Sequence, residues 1–132
     1  MKLTRASTYA LHAVVYLAKL KEQRPVASHL VAHSQGIPER FLLKVLKPLV
    51  SARILLSVKG PNGGYRLARG PSEISMLDIV EAVEGPIQGE APTTDMRKNA
   101  RLEERLQTAC EQTAVQVRKQ LQKVRVSELA GK

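Results

Sequence analysis

The sequence predicts a mainly α-helical chain with one small β-hairpin and a long C-terminal helix. Three observations carry this. Apolar residues recur at helical spacing in several stretches, a Gly-rich run at residues 60–64 separates two short strand-like segments, and Asp95 to Val124 contains neither Gly nor Pro. The length of 132 residues with 43% hydrophobic side chains suits one domain plus an extension. Folding at this length removes roughly two-thirds of the unfolded surface from water, so neither a metal nor a disulfide is needed for stability.

Thr4 is placed to cap a first helix whose apolar positions Ala6, Ala10, Ala13, Val14, Leu17, Ala18 and Leu20 share one face, ending near Lys21. Lys19 and Lys21 suit the dipole of its last turn. Pro25 opens a new element. Ser28 can cap a second helix of about two turns carrying Leu30, Val31 and His33, and Gly36 stops it. Pro38 takes the first-turn position of a third helix over 38–52, where a missing N–H is harmless. Phe41, Leu42, Val45, Leu46, Leu49 and Val50 make its buried stripe; Glu39, Arg40, Leu43, Lys44 and Lys47 make its exposed face. A short helix, a Gly turn and a longer basic helix form a helix-turn-helix pattern.

Ile54–Val58 and Tyr65–Ala68 read as strands, with Asn62-Gly63 as a tight turn of positive φ between them. The hairpin carries Lys59, Arg66 and Arg69, a basic wing directly after the third helix. Residues 1–85 therefore read as a winged helix-turn-helix domain, closed by a helix that Ser75 caps and Gly85-Pro86 ends. Residues 86–95, rich in Pro, Gly and Thr, read as a loop. Residues 96–132 read as a long dimerisation helix and C-terminal tail, with Leu102, Leu106, Cys110, Val117 and Leu121 along one apolar stripe. At 1.5 Å per residue, about 28 residues reach about 42 Å, more than this small body can cover. A second copy of the helix is the expected cover, since two-fold dimers are the commonest assemblies and helix-turn-helix dimers read palindromic sites. The alternative is a helix packed back along its own domain.

Net charge is +9, from 21 Lys and Arg against 12 Asp and Glu. Residues 1–70 hold 12 bases and only Glu22 and Glu39 as acids, so the positive field belongs to the first half. That asymmetry is the footprint of a polyanion binder, since each cation that neutralises a phosphate releases counterions. Tyr9, Tyr16, Phe41 and Tyr65 with no Trp are too few for a stacking platform for single strands, which favours double-stranded DNA. No secretory signal and no apolar run near the roughly 20 residues of a membrane span appear, so a cytoplasmic chain that engages no membrane is expected. No nucleophile–base constellation or phosphate-cradling Gly loop followed by Lys-Ser/Thr argues for an enzyme.

Leu3-Thr4-Arg5 through Tyr9-Ala10-Leu11, Gln35-Gly36-Ile37, Ser57 through Ala68 with its Lys59-Gly60-Pro61-Asn62-Gly63-Gly64-Tyr65 core, and Leu77-Asp78-Ile79-Val80-Glu81-Ala82-Val83-Glu84-Gly85 resemble the Rrf-two (Rrf2) family of bacterial regulators. The resemblance covers roughly the first 87 residues closely and the long helix more loosely. It implies a winged-helix homodimer, crossing through its long helices, that binds operator DNA and usually represses transcription. Carried over residue by residue, Pro38, Glu39, Arg40, Leu43 and Lys44 occupy the surface that faces the major groove, and Lys59, with Asn62 and Arg66, the wing that enters the minor groove. Arg40 suits a bidentate contact to guanine or, alternatively, a phosphate; Lys2, Arg5, Ser28 and Lys47 suit phosphates. Pro38 offers no donor where members place a polar residue.

One departure stands out. Cluster-binding members carry three closely spaced cysteines before the long helix, whereas residues 86–101 here contain none and Cys110 is the only thiol. An iron–sulfur centre normally needs four ligands, mostly thiolates, so no cofactor is expected. Cys110 reads first as a small hydrophobe in the stripe; the alternative is a redox thiol that meets its copy across the dimer. His29 and His33 stand i, i+4 but lack further ligands, so no metal site is expected, and they read as solvent-facing or phosphate-contacting. A second functional reading is a regulator whose DNA binding depends on a small-molecule effector, thiol oxidation or a partner protein.

Overall fold

Ala10, Ala13, Val14, Leu17 and Ala18 remove one face of helix α1 (Arg5–Lys19) from water in the computed structural model, which describes residues 1–91 and 99–131. The Thr4 hydroxyl caps this helix by accepting the Ser7 N–H at 3.0 Å. Helix α1 ends two residues before the expected point, because Leu20 turns to extended backbone and the Gln23 side-chain amide covers the Leu17 and Leu20 carbonyls at 3.2 and 3.3 Å.

Helices α2 (Ser28–Gln35) and α3 (Glu39–Ser51) pack on α1 and on each other. Leu42, Val45, Leu46 and Leu49 fill the i, i+3, i+4, i+7 positions of α3 and are buried. Each full burial of such a side chain contributes roughly 1.5–3 kcal/mol. The expected stripe is corrected at Phe41, which is 37% exposed, because adjacent helical positions point about 100° apart and Leu42 takes the inward one. Pro48 lies inside α3 and denies the Lys44 carbonyl its intrahelical donor; Lys44 is on the solvent side, where water can replace that donor.

Helix α3 closes with Arg53 in the left-handed region at φ 60°, its N–H on the Val50 carbonyl and the Ile54 N–H on the Leu49 carbonyl, both at 3.0 Å. This is the bond pair of a Schellman stop, with Arg where glycine is usual. Strands β1 (Leu55–Val58) and β2 (Gly64–Leu67) then pair antiparallel, Leu55 opposite Leu67 and Val58 opposite Gly64. A short 3₁₀ turn (Pro71–Glu73) leads to helix α4 (Met76–Glu84), whose N-terminus carries a reciprocal capping box between Ser75 and Asp78.

Helix α5 (Ala100–Lys123) is 24 residues, about 36 Å long. Its expected start near Asp95 lies outside the described residues. The tail holds a further element absent from the sequence reading, helix α6 (Val126–Leu129). The Met76 N–H donates to the Val124 carbonyl at 2.7 Å and the Val126 N–H to the Ile74 carbonyl at 2.9 Å, and Val126 is completely buried in the core. Among the described residues, no helix is long and apolar enough to cross a membrane.

Candidate nucleic-acid interface

The turn between α2 and α3 is built by Gly36, left-handed at φ 65°, and by buried Ile37, whose N–H donates to the Ala32 carbonyl at 3.0 Å. Two expected caps are corrected here. Ser28 is the first residue of α2 rather than its cap, which is Ala27 without a side-chain bond; the Ser28 hydroxyl instead donates to the Glu39 carboxylate at 2.8 Å. Pro38 stands one position before α3, as its N-cap with ψ 128°, rather than within the first turn. The Ser28–Glu39 bond joins the starts of α2 and α3.

On the outer face of α3, Glu39, Arg40, Leu43, Lys44 and Lys47 are all exposed. Buried Leu42, Val45 and Leu46 anchor the opposite face, so these side chains are displayed from a rigid element. The exposed Phe41 ring belongs to the same surface: the Arg40 guanidinium lies 4.8 Å from its centroid and the Lys44 ammonium 5.7 Å. Cation–π contact at exposed positions is worth about 0.5–1 kcal/mol, enough to bias where the two cations sit. Sequence periodicity had assigned Phe41 to the core; its basic neighbours at 40 and 44 were the signal for the outer role.

The wing turn also differs from expectation. The Gly63 N–H donates to the Gly60 carbonyl at 3.0 Å, with Pro61 and Asn62 as the central residues, and positive φ occurs at Gly60 and Gly64 rather than at Asn62 or Gly63. Pro fixes φ near −65° and favours the first central position of such a four-residue turn, which overrides the Asn-Gly signal. Lys59 and Asn62 are exposed on this loop. The wing is strapped to the segment before α2, because Val26 and Tyr65 exchange two backbone hydrogen bonds of 2.9 Å. Gly64 allows that approach: a Cβ there would lie 2.3 Å from the Val26 carbonyl carbon and oxygen.

Wing tip and α2 enclose a groove of about 590 Å³ lined by Arg24, His29, Leu30, Pro61 and Asn62 among others. Wing, α2 and the start of α3 thus form one connected surface. Two predicted residues lie elsewhere. Arg66 lines a separate concavity with Lys21 and Gln23, and Lys2 sits in a hollow beside α4 and α5 with Glu84 and Cys110. Arg5 is exposed in the first turn of α1.

Along α5, Leu102 and Leu106 are 51% and 48% exposed, and Cys110 and Val117 are half-buried. Leu121 departs from the predicted outward stripe: it is 6% exposed and packed, like Ala114, against its own chain. Val115, 48% exposed, was absent from the predicted set. The loop before α5 is clamped to it by Gln107, whose amide donates to the Gly89 carbonyl and whose oxygen accepts the Ala91 N–H, both at 2.9 Å. Gly89 lies directly on the helix, since a Cβ there would meet the Cys110 carbonyl at 1.9 Å.

A helix-turn-helix joined to a β-wing and followed by a long helix decides the comparison with known proteins. The Rrf2 family profile, described as "Iron-dependent Transcriptional regulator", matches residues 3–132. The chain belongs to the Rrf2 family. It is 32% identical over 87 residues to the HTH-type transcriptional regulator CymR of Bacillus subtilis, covering 66% of this chain and 63% of that one. It is 38% identical over 84 residues to protein aau3 of Rhizobium meliloti, covering 64% of this chain and 54% of that protein. The chain spans about half the length of several curated relatives it matches. In structure it is similar to CymR (YrzC), the global cysteine regulator of B. subtilis, with a TM-score of 0.77 at 25% identity over 99% of this chain and 97% of that one. The CymR oxidized form of Staphylococcus aureus matches at 0.70 with 28% identity, covering 98% and 96%. The family profile and CymR are described as transcriptional regulators, and this family membership places the chain with regulators rather than enzymes.

The iron in the family description meets an unsuitable donor set here. Among the described residues no group of three or more His, Cys, Asp or Glu side chains could hold a metal ion, and the single thiol of Cys110 sits half-buried on α5. These residues do not fit an iron–sulfur cluster held mostly by thiolates.

Proposed function

We propose that this chain is a sequence-specific DNA-binding transcriptional repressor that acts as a homodimer without an iron–sulfur cluster. The observation that carries this reading is the connected surface of wing, α2 and α3: exposed cations at Arg40, Lys44, Lys47 and Lys59 are displayed on elements locked together by the Val26–Tyr65 ladder and the Ser28–Glu39 bond. Helix α3 lies in the major groove. Arg40 reads guanine, Phe41 and Leu43 offer apolar contact to thymine methyls, and Lys44 and Lys47 hold phosphates. Lys59 and Asn62 enter the minor groove. Arg5 and Lys2 add positive field, and Ser28 exchanges its Glu39 bond for a phosphate as Glu39 turns away from the backbone charge.

The two-fold partner is a second copy of α5. Leu102 and Leu106 leave about half of their surface in water on one side of the helix, an apolar stripe that a second such helix covers. The family resemblance to regulators that dimerise supports the same reading, and a dimer matches a palindromic operator with half-sites about one helical turn apart.

The test is fluorescence anisotropy of DNA from the gene's own upstream region against an equal-length scramble, with mass measured by light scattering. Selective binding by a species of twice the chain mass is the expected result, together with an iron content near zero in protein purified without oxygen. Equal affinity for both DNAs would overturn the sequence-specific reading. A reporter behind the selected operator that falls when the chain is deleted would overturn repression.

A further inference from the structure

We infer that the hollow behind the wing, between the end of α1 and strand β2, is a binding site for a phosphate-class anion. The hollow encloses about 510 Å³ and is lined by Lys21, Gln23, Arg66, Arg69, Gly70 and Glu73 among others. Three cations face one carboxylate. Alternation along β2 sends Leu67 into the core and Arg66 to the opposite side of the strand, and Arg66 is one of the residues that line the hollow.

Arg66 is the unusual member. Its Nε is buried and has no hydrogen-bond partner, the one side-chain atom in that condition among the described residues. A buried donor left unmatched costs roughly 1–3 kcal/mol, more when charged, and native proteins match such groups with water, an ion or a ligand. Neither Arg66 nor Lys21 forms an ion pair within 4 Å among the described residues. Arg69 is already engaged: it donates to the Arg53 and Glu73 carbonyls at 3.2 and 3.4 Å and approaches Asp78 at 3.8 Å. It therefore supplies field rather than bonds.

Two features suit an anion further. The carbonyls of Leu17 and Leu20 that end α1 are covered by the Gln23 amide, which lessens their repulsion of negative charge. Arg66 and Lys21 both line the hollow, and a guanidinium and an ammonium can bind separate oxygens of one tetrahedral anion, the first as a planar fork and the second as a point charge. The oxygens come either from a free anion in solution or from a DNA backbone running past the base of the wing. The shared chemistry is the phosphoryl group.

Calorimetric titration of the full chain with inorganic phosphate, at ionic strength matched with chloride, tests the free source. The DNA arm alone rests on the proposed function; the phosphate arm stands without it. Wild-type protein is expected to bind phosphate saturably, and Arg66→Met and Lys21→Met to bind it about tenfold more weakly, the effect of losing one charge-assisted hydrogen bond. A wild type indifferent to phosphate, with a salt slope of DNA binding lowered by about one in Arg66→Met, assigns the site to backbone phosphate. Lys21 is exposed and unpaired, so Lys21→Met keeps the test open should Arg66→Met fail to fold. Phosphate binding unchanged in the folded variants, or no phosphate binding together with wild-type salt slopes, overturns the inference.

Discussion

Replacing Gly64 by Ala tests whether the wing and the helix-turn-helix act as one surface. The added Cβ would lie 2.3 Å from both the carbon and the oxygen of the Val26 carbonyl and 2.6 Å from the Ala27 nitrogen, all backbone atoms with no side-chain freedom to yield. Relief requires a separation of the order of 1 Å, which breaks both 2.9 Å bonds between Val26 and Tyr65. Two neutral hydrogen bonds contribute about 1–3 kcal/mol, and a φ of 146° adds about 1 kcal/mol for a residue with a Cβ. The expected loss is about 2–4 kcal/mol, a fall in melting temperature of about 6–20 °C for a chain of this size. A wing released from α2 also misplaces Lys59, so operator affinity falls about tenfold or more. Gly70→Ala is the control: its φ is −63° and the added Cβ meets only the Glu73 side chain, at 3.9 Å. Thermal melts and anisotropy read both effects. A Gly64→Ala protein that melts with Gly70→Ala and binds DNA as tightly as wild type would refute the strap.

The remaining predictions concern reading, assembly and the turn after α3. Arg40→Ala should cost about 1–3 kcal/mol at the operator and relax preference at one base pair, whereas Lys47→Ala should weaken all sequences alike and lower the salt slope by about one; uniform weakening by Arg40→Ala removes its base-reading role. Leu106→Glu should leave the helical content intact yet run as a monomer in size-exclusion chromatography, while Leu121→Glu, buried within its own chain, should unfold; a dimeric Leu106→Glu protein would move the interface elsewhere. Arg53→Gly should raise stability by about 0.5–1 kcal/mol in urea melts because it relieves the left-handed Arg, and a loss instead would show that the Arg53 side chain holds the turn. If Cys110 senses oxidation across the dimer, oxidised protein should give a disulfide-linked dimer on a non-reducing gel; monomer alone leaves it as a packing residue.

Among the described residues, helical spacing and caps disclosed five of the six helices and both strands, because burial of one face and capping of the ends are local properties. The misreadings arose where two local rules competed or where the deciding partner lay far along the chain. Phe41 and Leu42 are both apolar, and only the packing against α1 decides which faces inward. Pro61 outweighed Asn62-Gly63 in choosing the wing turn. Ser28 lost its capping role to a partner eleven residues away, Glu39. Helix α6 has too few residues for periodicity; it exists because the Ser75–Arg125 bridge fixes the chain in front of it. The cationic face of α3 was visible from charge and spacing, but the orphaned Arg66 donor and the Gly64 strap depend on three-dimensional neighbours that no spacing rule contains.

The same division explains the acidic segment Asp78 to Glu84, on which the family resemblance drew heavily. Its carboxylates are spaced three residues apart and each is committed to a different part of the structure. Asp78 accepts the Ser75 N–H at 2.9 Å and stabilises its own helix start. Glu81 holds Arg118 of α5 and accepts the Ile87 N–H at 2.8 Å, joining helix and loop. Glu84 accepts hydroxyl bonds from Thr4 and Ser7 at the start of α1. Helix α4 therefore ties the N-terminus, the loop and the long helix together, and its negative charge is spent on protein partners. Among the described residues the cations of α3 have no carboxylate within 4 Å; Arg40 and Lys44 lie instead beside the aromatic ring of Phe41. A charge imbalance spread over two halves of the sequence thus becomes a polarity of the folded chain, with acids bound internally on α4 and bases presented outward on α3. That polarity is what a duplex phosphate backbone would meet, and it depends on α4 keeping its carboxylates occupied.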